Sequence, residues 1–213
     1  MMDIVPNDPL KLLPFFASSR LRVGFVFCLL ALAGCASAPL YEYEAAPASP
    51  SATLSRAQAY LAERPDWNID CSNFVRACVK SEAMDNWLSG NGGKNLTLSI
   101  FRYLRGHGTE RKDPSDIRPG DILIFHKTYD ANRDGAIDSL DVYTHSGIAE
   151  SMKDGVLTYI DSSKGRKDPK IRRRSFSFRE GGKNERVATD PRTGRAILHR
   201  ETFATAFGMP KAE

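Results

Sequence analysis

The hydrophobic pattern of the chain changes its period once, close to Gly106, and this change limits the folds that are available. Before Gly106 the apolar residues fall on helical faces, and after it they form short runs that are typical of strands. Helices followed by strands predict an α+β domain whose N-terminal helices pack on an antiparallel β-sheet. The apolar content of 41% is sufficient for a core of this kind.

Three helices are predicted in the first part of the domain. The segment "LSRAQAYLAERP" starts with a capping box, Ser55 and Gln58, and ends before a proline. A second helix is predicted from its N-cap Asp70 to Gly90, which stops it. The third, "NLTLSIFRYLRGHG", ends at Gly106. The runs "DILIF", "HSGIAES" and "VLTYID" then predict strands; "SFSF" and "RAILH" suggest two more, with "DPRTGR" as the turn before the last.

The N-terminus has the pattern of an export signal. Arg20 and Arg22 precede "VGFVFCLLALAG", an apolar run too short to span a bilayer but typical of a signal peptide. The tetrapeptide "LAGC" resembles the lipobox of bacterial lipoproteins, which implies that Cys35 is lipidated and becomes the first residue. The alternative is an ordinary secretory signal that is cut near Ala38. In either case we expect an exported protein, and the lipobox predicts one anchored to a membrane of the cell envelope.

Three regions follow from this reading. Residues 1–34 are the predicted lipoprotein signal peptide, residues 35–53 a lipidated cysteine and an Ala/Pro/Ser-rich linker, and residues 54–213 the folded domain. Within the domain, residues 164–200 are a basic hairpin region with 13 Lys/Arg against 4 Asp/Glu. In an exported protein such a charge favours wall polymer or lipid head groups over nucleic acid, or serves only as solvated surface. We expect a monomer without a nucleic-acid partner.

Two of the four cysteines, Cys71 and Cys78, lie in the predicted second helix. Cys71 stands at the helix start, where the positive end of the dipole and the unpaired N–H groups favour a thiolate. Cys78 lies about 10 Å further along the axis, beyond disulfide reach. Cys78 is therefore predicted to be a small buried apolar residue, and Cys71 is a candidate nucleophile.

The segments "DCSNFV", "RPGDILIF" and "HSGIAES", in this order, resemble three motifs of the NlpC-type cell-wall cysteine peptidases. The resemblance runs from about Tyr60 to Ser163 and implies a papain-like fold. Carried over residue by residue, it implies that Cys71 is the nucleophile, that His145 is its base and that Asp161 orients His145. The family usually has His or Asn at the third position.

The hairpin between these strands permits a geometric prediction. A three-residue loop, 153–155, would put Gly155 in the left-handed position and pair Met152 with Val156. Gly147 would then pair with Asp161, so that Asp161 shares a face of the sheet with His145. A two-residue loop would place the two side chains on opposite faces.

The segment "DANRDGAIDSLD", residues 130–141, has the spacing of an EF-hand calcium loop. Gly135 permits the sharp turn, and Ile137 ties the loop to the core. The last ligand is Asp instead of Glu, which resembles the loops of dockerins. The predicted oxygen ligands are Asp130, Asn132, Asp134, the backbone carbonyl of Ala136, Asp138 and Asp141. Calcium is therefore an expected structural or regulatory ion, which would order the start of the strand that carries His145; an Asp/Asn-rich turn without a metal is the alternative.

The combined expectation is a membrane-anchored cysteine hydrolase that cleaves peptide or amide bonds of peptidoglycan. One alternative is a papain-like acyltransferase or amidase that acts on lipids or other amides. A second alternative is a non-catalytic calcium-binding lipoprotein of the cell envelope.

Overall fold

The computed structural model describes residues 49–164, 170–179, 190–194 and 202–209. Within these ranges the predicted α+β class is confirmed, because helices precede a six-stranded antiparallel sheet. The helices are α1 (Pro50–Glu63), α2 (Cys71–Val79), α3 (Glu82–Asn91) and α4 (Leu96–His107). The strands are β1 (Thr109–Arg111), β2 (Ile122–Phe125), β3 (His145–Lys153), β4 (Val156–Ser162), β5 (Ile171–Ser177) and β6 (Phe203–Gly208).

The strand order in the sheet is β1-β6-β2-β3-β4-β5. The last strand, β6, lies between β1 and β2, so the end of the described chain returns to an interior position, next to the edge strand β1. The strands β2, β3 and β4 are consecutive neighbours and carry the central part of the core.

Each face of the sheet carries its own apolar cluster, as the alternation of side chains along a strand requires. In β2, Ile122 and Ile124 join the cluster that contains buried residues of all four helices. Leu123 and Phe125 join a second cluster, with Leu157, Tyr159 and Phe176 from β4 and β5. Both faces of β2 are buried, which explains why "ILIF", residues 122–125, is an uninterrupted apolar run.

The prediction of one helix from Asp70 to Gly90 is wrong, because the chain forms two helices there. Lys80 takes a left-handed conformation with φ of 51°, which ends α2. Ser81 then starts α3 by accepting a hydrogen bond of 3.2 Å from the amide of Met84. Serine is a preferred N-cap residue, so the signal for a second start is present in the sequence.

Other boundaries also differ from the expectation. Helix α1 begins at Pro50 with Ser49 as its N-cap, so residues 50–53 are helical and not part of a linker. The predicted third helix is α4, which ends one residue later than predicted, at His107. Strands β1 and β6 were not predicted. The predicted strand "RAILH", residues 195–199, lies outside the described residues.

Candidate active site

The start of α2 is fixed by its N-cap. Asp70 has an extended backbone, and one carboxylate oxygen accepts a hydrogen bond of 2.9 Å from the amide of Asn73. The other oxygen accepts one of 2.7 Å from the side chain of Asn73. The predicted N-cap is therefore confirmed, and it leaves Cys71 as the first residue of the helix.

Two hydrogen bonds hold this helix start against its neighbours. Ser162, at the end of β4, donates to the backbone carbonyl of Ile69 at 2.6 Å. The hydroxyl groups of Ser72 and Thr97 are 2.6 Å apart and link the first turn of α2 to the first turn of α4. Because Ser162 directly follows Asp161, the first contact also places Cys71 near the strand ends that carry the other two predicted site residues.

The Cys71 thiol lies next to His145 and is only partly exposed. Burial alone would raise the pKa of the thiol, but the charge of His145 and hydrogen bonds from His145, the amide of Ser146 and Ser72 outweigh it. The net result is a Cys71 pKa of about 6, below its ordinary value. A thiol in such surroundings is largely a thiolate at neutral pH, the form that reacts as a nucleophile.

His145 contacts Asp161 through the Nε2 atom of its ring. The Nε2 atom of His145 lies 2.8 Å from Oδ2 of Asp161, and both side chains are buried. Because Nε2 is engaged by the carboxylate, Nδ1 is the nitrogen that remains for Cys71. Phe125 packs beside the imidazole ring, with 5.8 Å between the ring centroids. The structure thus brings Cys71, His145 and Asp161 together.

The prediction of a three-residue hairpin loop is wrong, although Gly147 does pair with Asp161. Lys153 pairs with Val156, so the loop contains only Asp154 and Gly155, which both have positive φ as a tight type I′ turn requires. A β-bulge between Ala149 and Ser151 adds one residue to β3. The extra residue, Glu150, shifts the register by one position, and this shift places His145 and Asp161 on the same face.

Asp161 has a further partner, on β5, that no sequence motif indicates. The guanidinium of Arg174, on β5, donates through Nε to both oxygens of Asp161, at 2.9 and 3.0 Å. Arg174 is 7% exposed and Asp161 is fully buried. Arg174 and Phe176 are two residues apart on β5 and therefore lie on the same face, which predicts that the Arg174 side chain is buried as Phe176 is. This signal can be used only once the strand is known.

Cys78 occupies a different environment, as predicted. Its side chain is fully buried in the helix-side cluster, and burial raises the pKa of its thiol far above the ordinary value. Arg56 donates hydrogen bonds to the carbonyl groups of Cys78 and Val79 at the end of the helix. Cys78 therefore lacks the features of a nucleophile.

The predicted calcium loop connects β2 to β3. Gly135 has φ of 86°, in accord with the sharp turn expected there. The Asp130 carboxylate accepts hydrogen bonds from the backbone of residues 133, 134 and 135, and the buried Asp141 carboxylate accepts from Ala131 and Asp138. In the part of the chain that the structure describes, no group of three or more His, Cys, Asp or Glu is arranged to hold a metal ion. Calcium binding stays a prediction.

The predicted signal peptide, Cys35 and most of the linker lie outside the described residues. Among the residues that are described, no helix is both long and apolar enough to cross a membrane. No family model matches the sequence, and no curated protein shows significant similarity to it.

Proposed function

We propose that the protein is a cysteine hydrolase of the cell envelope that cleaves peptide or amide bonds of peptidoglycan. The observation that carries the proposal is the continuous contact from the Cys71 thiol through His145 to Asp161. A nucleophile, a base and a group that orients the base are the minimum set for thiol-based acyl transfer.

The chemistry follows from the positions of these groups. His145 takes the proton of the Cys71 thiol, and the sulfur attacks the carbonyl carbon of the substrate. His145 then gives this proton to the departing amine as the carbon–nitrogen bond breaks. Water, deprotonated by His145, then hydrolyses the thioester and frees the thiol. The backbone N–H of Cys71 lies in the first turn of α2, where helix amides point outward, and it is the natural donor to the developing oxyanion.

The substrate class rests on the sequence resemblance to the NlpC-type peptidases, which also suggests a papain-like arrangement of the fold. An antiparallel sheet preceded by helices, with the nucleophile at a helix start and the base at a strand start, is compatible with that arrangement. The location in the envelope rests on the predicted signal peptide and on the predicted lipidation of Cys35. Replacement of Cys35 with Ala, followed by fractionation of membranes, tests this part separately.

The decisive experiment is mass spectrometry of purified muropeptides after incubation with the wild type, C71A and C78A. Both variants remove one thiol from the same helix, so C78A is a matched control. The proposal expects cleavage by the wild type and C78A and none by C71A. Products that carry a new acyl group instead of a hydrolysed bond would favour the acyltransferase alternative. Equal product levels with the wild type and C71A would contradict the proposal.

Calcium enters the proposal as a structural ion of the 130–141 loop. The loop offers hard oxygen donors of the type that calcium prefers, and Asp141 lies four residues before His145. The backbone amide of Lys127 donates to the carbonyl of Asp141 at 2.7 Å, which ties the end of the loop to the end of β2. An ion held there would restrict the segment that leads into β3.

A further inference from the structure

We infer that Arg174 is a positioning residue for the candidate triad: it holds the Asp161 carboxylate charged and turned toward His145. The inference rests on the function proposed above, since a positioning role requires a reacting triad. It adds a fourth member, on a third strand, that touches none of the reacting atoms itself.

The location of Arg174 follows from the strand register. Asp161 pairs with Arg172 across β4 and β5, so Arg174 lies two residues further along the same face. The side chain returns along this face to Asp161, where its Nε contacts both carboxylate oxygens. Oδ2 thereby receives two contacts, one from Arg174 and one from His145, and rotation of the carboxylate would break both.

Packing alone does not explain an arginine at this position. Arg174 is over nine-tenths buried, and its Nη2 atom has no hydrogen-bond partner among the described residues. The free-energy cost of removing two charges from water largely offsets the attraction between them. A buried ion pair is therefore weak evidence for a stabilising role. The neighbouring Arg173 differs in both respects. Its side chain is more than half exposed, and it pairs with Glu150 on the opposite face of the sheet.

The catalytic cycle supplies the reason for a permanent cation beside Asp161. His145 carries a positive charge only in part of the cycle, and when it is neutral the buried carboxylate would have no full charge opposite it on β3. Arg174, which stays protonated, supplies that charge throughout. Among the described residues, Arg172 is a further charged residue on this face of β5, since it is the register partner of Asp161. Cys71 lies on the other side of the His145 ring.

The test is the pH profile of Cys71 alkylation by iodoacetamide, followed by peptide mass spectrometry in R174M, R174K and R173Q. This readout needs no substrate, and a residue that only stabilised the fold would not move its midpoint. R174M is expected to raise the midpoint by about one pH unit or more above the wild-type value, because a misdirected carboxylate supports the imidazolium less well. R174K keeps the charge but has a different donor geometry, so an intermediate midpoint is expected. R173Q should leave the midpoint unchanged.

A double substitution shows whether Arg174 acts through Asp161. If it does, R174M should cause no further rise in the midpoint when it is combined with D161N. A wild-type midpoint in R174M, or an equal further rise in the D161N background, overturns the inference. If R174M does not fold, the test rests on R174K. A wild-type midpoint and wild-type turnover in R174K would show that the geometry of the guanidinium is not required, which also overturns the inference. A wild-type Cys71 without a low midpoint is a separate result, because it contradicts the proposed function itself.

Discussion

Cys71 and Cys78 lie on one short helix and have the same side chain, yet their environments differ in almost every respect. Cys71 begins α2, borders His145 and has a pKa lowered to about 6. Cys78 lies near the other end, among apolar side chains, and burial raises the pKa of its thiol. Burial raises the pKa of both thiols, so burial does not explain the difference between them. The difference comes from the imidazole and amide groups that lie beside Cys71 and not beside Cys78.

The largest expected difference between the two cysteines is in turnover. C71A should lower kcat/KM for the muropeptide substrate by at least about 10³-fold, because the nucleophile is removed. C78A should keep near wild-type turnover and lose about 1 kcal/mol of stability from its core contacts. Steady-state kinetics with both variants check the prediction. A C78A enzyme as inactive as C71A, with unchanged melting, would contradict the comparison.

The second difference concerns what supports each thiol. D161N should lower kcat/KM by about 10²-fold, because the imidazole loses the charge that orients it and stabilises its protonated form. The alkylation midpoint of Cys71 should rise, whereas Cys78 should remain unreactive in the folded protein. Kinetics combined with residue-specific alkylation check both parts. A D161N variant with a wild-type midpoint would show that Asp161 does not act through His145.

The two thiols should also give stability opposite dependences on pH. The folded-state pKa of Cys71 lies below its ordinary value, so the unfolded chain binds more protons between pH 6 and 9. The contribution of Cys71 is therefore complete above about pH 9 and is lost as the pH falls through 6; it is at most on the order of 3 kcal/mol. The pKa of Cys78 is raised, so its contribution is lost as the pH rises above the ordinary thiol pKa.

Denaturant unfolding at pH 6, 7.5 and 9, extended to about pH 10 for Cys78, measures this contrast. The gap in unfolding free energy between the wild type and C71A should widen from pH 6 to 9. The gap in unfolding free energy between the wild type and C78A should narrow only when the pH rises above the ordinary thiol pKa. Parallel pH profiles for the two variants would show that the two environments do not differ as described.

How much of this arrangement is predictable from sequence differs from one element to the next. Asp70 as an N-cap and the apolar run of β2 are local signals, and both are confirmed. Ser81 as the N-cap of α3 is also a local signal, whereas the carbonyl groups at the end of α2 accept hydrogen bonds from Arg56, which is distant in sequence and approaches only in the folded chain. Nothing in "HSGIAESMKDG" shows that Glu150 forms a bulge. The three-residue loop was therefore the wrong reason for the pairing of Gly147 with Asp161, although the pairing itself is correct. Arg174 was not distinguishable from the other arginines in a basic run.

Calcium offers a smaller effect that should also separate the two cysteines. If the 130–141 loop binds calcium, the ion should raise the melting temperature by a few degrees, corresponding to about 1–3 kcal/mol at saturation. The combined variant D130A/D134A should not respond. Because the loop leads into the strand of His145, chelation should change the alkylation of Cys71 and leave Cys78 unaffected. Differential scanning fluorimetry with calcium, magnesium and chelator checks the shift; no shift in the wild type would contradict calcium binding.

The smallest effect is expected for deletion of Glu150. The deletion removes the bulge but keeps Ala149 opposite Tyr159 and Ser151 opposite Thr158, so His145 and Asp161 should stay on one face. Only the exposed contacts of Glu150 with Gln58 and Arg173 are lost, at a cost of about 1 kcal/mol or less. The deletion variant should retain the low alkylation midpoint of Cys71. E150A, which keeps the bulge, is the control; a midpoint that rises in the deletion variant alone would show that the bulge itself positions His145.

The most direct test of the account is the pH profile of alkylation in the wild-type protein, with Cys71 and Cys78 quantified separately by peptide mass spectrometry. Cys71 should react with a midpoint near pH 6, and Cys78 should react only after unfolding. Slow and equal labelling of both thiols, or a Cys71 midpoint at the value of an ordinary cysteine, would contradict an activated nucleophile at the start of α2.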